Sequence, residues 1–314
     1  MKYSEEILKL FPVRNRRTEK EAFRKWALKE AERLGYAART EENGGHRNIV
    51  IGDIETAKTV FTAHYDTPMA SVFPNFMLPK ARALFYAYQA LIILAVMAAG
   101  FFAAGLFEAT VPLDYTVTKN RMALVGIFML VYYGLFFLLF KTFVNKNNAN
   151  DNTSGVACIF ETMARLPENV RGNAAFVLFD DEEKGKKGSK AFFKAHTERF
   201  VSLPVINFDC VGFGDHPVII VKDAFINTKT YAAFEKAFSA LENVQICNAG
   251  EAHANSDQMN FPLGTGVMMC ARSKYGILYV GRIHTKRDTV SDSRNIDVLS
   301  TASKEFMLGM EAQP

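Results

Sequence analysis

Several common function classes find little support in this sequence. Its four cysteines, at 158, 210, 247 and 270, form no CxxC pair. A thiol-redox motif and a zinc ribbon are therefore excluded, and buried thiols in a reducing compartment are the natural reading. There is no zinc-finger spacing, RNA-binding signature or long basic tract, and the net charge is only +4 over 314 residues. Nucleic acid is not an expected partner. MKYSEEILKLFPVRNRRTEKE at the N-terminus has no apolar core of signal-peptide length, so export is not expected. No internal repeat or low-complexity linker divides the chain, and nothing specifies an oligomeric state.

Formal charge is also missing from two local runs, 25 residues at 83–107 and 19 residues at 122–140. At about 1.5 Å per residue, each is long enough as a helix to cross a roughly 30 Å hydrocarbon core. The link at 108–120 is short and polar, with one proline. A transmembrane helical hairpin, 81–141, is expected in contact with a lipid bilayer. It is inserted into a domain made of 1–80 and 142–314. The competing reading is a pair of buried or dimer-forming helices; Gly100 and Gly105 do not have the GxxxG spacing. Lys80, Arg82, Lys141 and Lys146 flank the domain side, against Lys119 and Arg121 on the link. That bias favours a cytoplasmic position for the larger domain, in a two-helix membrane protein.

The remaining chain suits one large α/β domain. A helix is expected over 18–34, with Thr18 and Glu21 at capping-box spacing. Further helices are expected over 153–166, where Thr153 or Ser154 can cap, and within 225–241. Strands are expected at 48–53, 58–67, 173–183, 204–212 and 276–285. This alternation predicts a three-layer αβα sandwich, with a site at the strand ends.

Polar residues recur at those ends in short motifs: AHYDT (63–67), NDNTSG (150–155), DEEKGKKGS (181–189), NFDCVG (207–212) and RIHTKRDT (282–289). Singly each is common. Together they offer mixed imidazole and carboxylate donors, which suit zinc, cobalt or manganese. Asp66 lies two residues after His64, so an extended segment puts both on one face.

The ordered set, with SDQMNF (256–261), resembles the di-zinc exopeptidases of the aminopeptidase Y and bacterial leucyl aminopeptidase type, the twenty-eighth metallopeptidase family. The likeness covers about residues 10–75 and 145–310. It implies a mixed, mostly parallel central sheet of the phosphorylase/hydrolase-like kind and two Zn2+ ions, with Co2+ or Mn2+ as substitutes. It also implies that His64 and Asp209 bind one ion, Glu183 and His284 the other, and Asp151 both. Glu182 would be the general base, and Asp66 would hold the His64 imidazole from behind.

The expected activity is aminopeptidase cleavage of short peptides. The alternatives are a membrane-associated metal-dependent amidohydrolase or deacylase acting on small acylated compounds, and a non-catalytic membrane interaction protein with a peptidase-like domain. The sequence departs from the family in three places. The hairpin puts 87 residues between His64 and Asp151, so the two ends of the insertion must return together. Gln258 stands where many relatives have histidine and is expected near substrate. Lys184, Lys186 and Lys187 make the acidic turn basic, and are expected at the entrance or against lipid headgroups. Residues 265–279 are read as pocket wall or core. His46, His196, His216 and His253 are read as surface or loop, with His253 near the rim of the site.

Overall fold

The computed structural model describes residues 2–111, 114, 116–140 and 143–311. Its main strands are β1 (Ala38–Asn43), β2 (His46–Ile51), β3 (Thr59–His64), β4 (Ala174–Phe179), β5 (Val205–Phe208), β6 (His216–Val221), β7 (Gln245–Asn248), β8 (Gly264–Arg272) and β9 (Leu278–Gly281). With the two-residue strand Phe76–Met77 they form one mixed sheet. The order runs β1, β2, β4, β3, β5, β8, β9 and Phe76–Met77, while β6 joins β8 and β7 joins β6. The centre, β4–β3–β5–β8, is parallel throughout.

Strand residues alternate between two cores, as the two-residue repeat requires. Phe61, Phe176 and Phe208 face one side. There they meet α1 (Lys2–Leu10), α2 (Arg17–Arg33), α5 (Gly155–Arg165), α7 (Lys229–Phe238) and α8 (Ser293–Glu311). Val60, Val177 and Phe179 face the other side, packed on Phe192 of α6 (Lys187–Ala195) and on Phe200 and Phe261. This is the expected αβα sandwich.

Differences from the sequence expectation are local. The α2 cap lies earlier than predicted: Glu19 accepts the N–H groups of Asn15 and Arg16, while Glu21 pairs with Arg24. Neither Thr153 nor Ser154 caps α5; the Asn152 side chain accepts the Gly155 N–H at 3.1 Å. Met268 and Met269, within 265–279, are core residues of β8.

The apolar runs form α3 (Arg82–Thr110) and α4 (Thr118–Phe140), both long and apolar enough to cross a membrane. Only 17% of the apolar window of α3 is buried, and none of that of α4. These are therefore not core helices of the sandwich. They pack on each other where Gly100 meets Phe128. Lys141, counted among the flanking charges, lies outside the described residues. The two ends of the insertion are tied together by a short ladder, Met69–Ala70 against Phe143–Val144. The Val72 N–H also donates to Leu139 O at 3.0 Å. That neck closes the 87-residue gap.

Helix α6 seats tightly on the acidic turn after β4. A Cβ on Gly188 would stand 2.0 Å from the Asp180 carbonyl oxygen. Gly188→Ala must push α6 away and is expected to cost about 1–3 kcal/mol. The check is a lower denaturant midpoint at unchanged slope; an unaltered midpoint would mean that the contact is easily relieved.

Candidate metal centre

The donors collect at the C-terminal ends of the parallel strands, where open α/β sheets place their sites. His64 is the last residue of β3, Asp209 follows β5, and Glu182 and Glu183 lie just beyond β4. Asp151 lies in the irregular turn that leads into α5, and His284 in the loop after β9. Three turns here use left-handed backbone at non-glycine residues, Asp181, Cys210 and His284. Such conformations cost roughly 1–3 kcal/mol each and collect at functional sites.

The NDNTSG motif builds the turn almost entirely from its own side chains. Asn152 donates to Phe208 O at 2.9 Å, and Asn150 accepts the Gly212 N–H at 2.7 Å. Ser154 donates to Asn150 O and accepts the Val211 N–H. These bonds tie NDNTSG to NFDCVG without using the Asp151 carboxylate. A Cβ on Gly155 would come within 2.4 Å of Phe208 O, so the two segments touch through that glycine. Asp288, in the RIHTKRDT motif, accepts the N–H groups of Asn150 and Asp151 at 2.7 and 3.0 Å.

The four acids after β4 divide into two pairs. Lys20 Nζ lies 2.5 Å from Asp180 and 2.6 Å from Asp181. His46 and Lys184 also contact Asp181. Burial pushes the Asp181 carboxyl up, but Lys184 and Lys20 outweigh it and hold it well below its ordinary range. Glu182 and Glu183 have no lysine and line the cavity over the site. The Asp66 carboxylate accepts their N–H groups at 3.0 and 3.2 Å. The His64 Nδ1 lies 3.2 Å from the Asp66 carbonyl oxygen and 3.5 Å from its carboxylate. Asp66 thus lies behind His64 and also holds the glutamate turn.

Asp151 stands between two histidines. Its Oδ1 is 3.3 Å from His64 Nε2, and its Oδ2 is 3.0 Å from His284 Nε2. Asp209 lies 3.8 Å from His64 Nε2, and Glu183 lies 3.3 Å from His284 Nε2. Two three-residue sets therefore share one carboxylate. Burial alone would raise Asp151, but His284 and His64 hold it well below the usual range. Burial pushes Glu183 up to about 8 and Glu182 well above its ordinary value, with neighbouring acids adding to both. Burial opposes the charge on His284, yet Glu183 and Asp151 bring it up to about 9. His64 is raised in the same way by Asp151, Asp209 and Asp66.

The donor set fits divalent cations. Glu183 Oε1 and Asp209 Oδ1 are buried with no hydrogen-bond partner among the described residues, and such carboxylate oxygens call for a cation. His64, Asp151 and Glu183 bring donor atoms within 4.8 Å of one another, as do Asp151, Asp209 and Cys210. The Cys210 sulfur belongs to the second of these sets, although the sequence reading did not count it as a ligand.

Two further buried residues escaped the sequence reading. Arg14 donates to Tyr65 O, Phe11 O and Thr153 Oγ1, a single arginine in a basic stretch that gives no pattern. Asp257 is pushed up to about 7 by burial and leaves Oδ2 without a partner. Gln258, expected near substrate, instead bonds Asn207 and Ala254 O inside the core. His253 and Lys186 do line the cavity over the site.

A model of peptidase family M28 matches residues 140–306, just over half of the chain. The chain belongs to peptidase family M28. No curated protein sequence matches it. Solved structures similar to this M28 chain include the LapA aminopeptidase of Legionella pneumophila, at TM-score 0.59 and 12% identity over 99% of this chain and 71% of that one. LapB of the same organism gives 0.57 and 13%, over 99% and 71%. The glutaminyl cyclase of Porphyromonas gingivalis gives 0.57 and 13%, over 100% and 96%. At these identities the likeness concerns the fold, and it spans both aminopeptidases and cyclases.

Two outcomes are expected from this geometry. Asp66→Asn should weaken metal binding about 10–100-fold in chelator competition, because Asp66 orients His64 and the Glu183 turn; unchanged affinity would contradict this. Lys20→Met removes the cation shared by Asp180 and Asp181, leaving Asp180 without an ion-pair partner among the described residues, and should cost about 3–5 kcal/mol in denaturant unfolding. Because Asp181 is depressed, its stabilisation is present at neutral pH and is lost as pH falls below about 4. Lys20→Met should flatten that acid-side loss, and an unchanged pH profile would count against the pairing.

Proposed function

We propose that this M28 chain is a membrane-anchored, two-zinc aminopeptidase that removes N-terminal residues from short peptides. Residues 81–141 would form the anchor, and 1–80 with 142–314 a catalytic domain on the cytoplasmic side. The observation that carries the reading is Asp151, with one oxygen toward each histidine. His64 and Asp209 would hold one ion, Glu183 and His284 the other, and Asp151 both. Cobalt or manganese would suit the same donors. Bound zinc would make a water more acidic and polarise the peptide carbonyl.

The remaining work falls to the chain itself. Glu182 lines the same cavity, of about 450 Å³, without contacting either histidine. It is free to take a proton from water and return it to the leaving amine. Asp66 holds Glu182 in place through its backbone N–H.

The test uses aminoacyl amides with N-acetylated controls. Free-amine substrates should be cleaved, and Glu182→Ala should lower kcat by about 10²–10⁴-fold while keeping its metal. Preference for acetylated substrates would indicate a deacylase. Loss of ammonia from N-terminal glutamine without peptide cleavage would indicate a cyclase. Folded, metal-loaded protein with no turnover would leave an interaction module.

A further inference from the structure

The cavity over the metal centre does not end at the catalytic domain. An adjoining cavity of about 490 Å³ is walled by Ile92 and Val96 of α3, Tyr132 and Phe136 of α4, and by Glu183 and His284. The two cavities share Asn75, Gln89, Glu183 and His284, so they adjoin at these residues. Val96 lies 14 residues into α3, which is about 21 Å along the helix from Arg82. Together the two cavities therefore run from the carboxylates into the body of the apolar hairpin.

The chemistry of the walls changes along that path. At the catalytic end stand Lys186, His253 and Asn255 beside the acids. In the hairpin the walls are aliphatic and aromatic. Ile92 and Val96 are buried on this inner side, whereas Leu91, Leu94, Phe101 and Phe102 of the same helix are exposed. A short polar peptide would leave the apolar end empty. A chain of methylenes would fill it, with each buried methylene worth up to about fourfold in binding.

We propose that the substrate is an amphiphilic amide carrying one long hydrocarbon chain. The chain lies between α3 and α4, and the amide lies at Glu182 and Glu183. This rests on the peptidase reading and adds its substrate class. The reaction is hydrolysis: water adds to the amide carbon, the C–N bond breaks, and the products are a carboxylate and an ammonium. Glu182 carries the proton from water to the leaving nitrogen.

The experiment uses the full chain, zinc-loaded, in lipid nanodiscs. Leucine ethylamide is compared with leucine dodecylamide, whose chain leaves with the amine. 2-Aminododecanamide carries the chain on the other side of the scissile bond. The kcat/KM of one of the two long-chain substrates should exceed that of the ethylamide by at least about tenfold. Val96→Trp, which fills the cleft, should bring that ratio close to one. Leu130→Trp, on the exposed outer side of α4, should leave the ratio as in the unaltered protein. Because all proteins sit in the same bilayer, partition of the long chain into lipid cancels between them. An equal ratio in Val96→Trp and the unaltered protein, or no chain-length gain, overturns the proposal while leaving the peptidase reading intact. If no aminoacyl amide is cleaved, the peptidase reading falls. Calorimetric binding of the same amides to the same three proteins then decides the cleft by the same ratios. Should Val96→Trp fail to fold, Ile92→Phe carries the same test.

Discussion

The site depends on one buried carboxylate whose two oxygens must face in opposite directions. Removing a carboxylate from water costs several kcal/mol unless it is well paired, and Asp151 is paired twice, with His64 and with His284. Its position is fixed from behind. Asp288 holds its backbone N–H, and Asn150, Asn152 and Ser154 bind the segment after β5. Displacement of that turn by about an ångström would separate the two donor sets, because one residue belongs to both. The sandwich, the neck of the hairpin and the Asp288 loop all converge on this position.

Around Asp151 the protein manages an excess of buried acid by giving each carboxylate a different partner. Lys20 and Lys184 neutralise Asp180 and Asp181, and His46 contacts Asp181. Backbone N–H groups satisfy Asp66 and Asp288. What remains is Asp151, Glu183 and Asp209 beside two histidines, with one oxygen each on Glu183 and Asp209 that has no hydrogen-bond partner among the described residues. The run DDEE thus separates into two structural acids and two facing the crevice, although its four residues are chemically alike.

The sequence revealed the αβα sandwich because buried parallel strands ending on polar residues leave a distinctive pattern. The five candidate donor residues that the structure brings together each stand in a short motif, at a strand end or in a turn beside the sheet. Less visible were residues that act through folding partners. Lys20 reaches Asp180 across 160 positions, and Asp288 works through backbone groups of Asn150 and Asp151. Neither relation has a local sequence signal. Gln258 was misread because a polar residue inside a site motif can equally serve a core network. The Thr18–Glu21 spacing misled because an equivalent acid, Glu19, was closer to the chain reversal.

The hairpin gives this member of the family its individual character. It enters between two donors of the centre, is closed by a two-stranded neck, and lends α3 to the wall of the cavity. In the proposed centre Asp151 would serve two ions. The most direct test is anomalous scattering from crystals of the zinc-loaded protein. Two peaks about 3.5–4 Å apart on either side of the Asp151 carboxylate are predicted. A single peak, or two peaks that do not share Asp151, would contradict it.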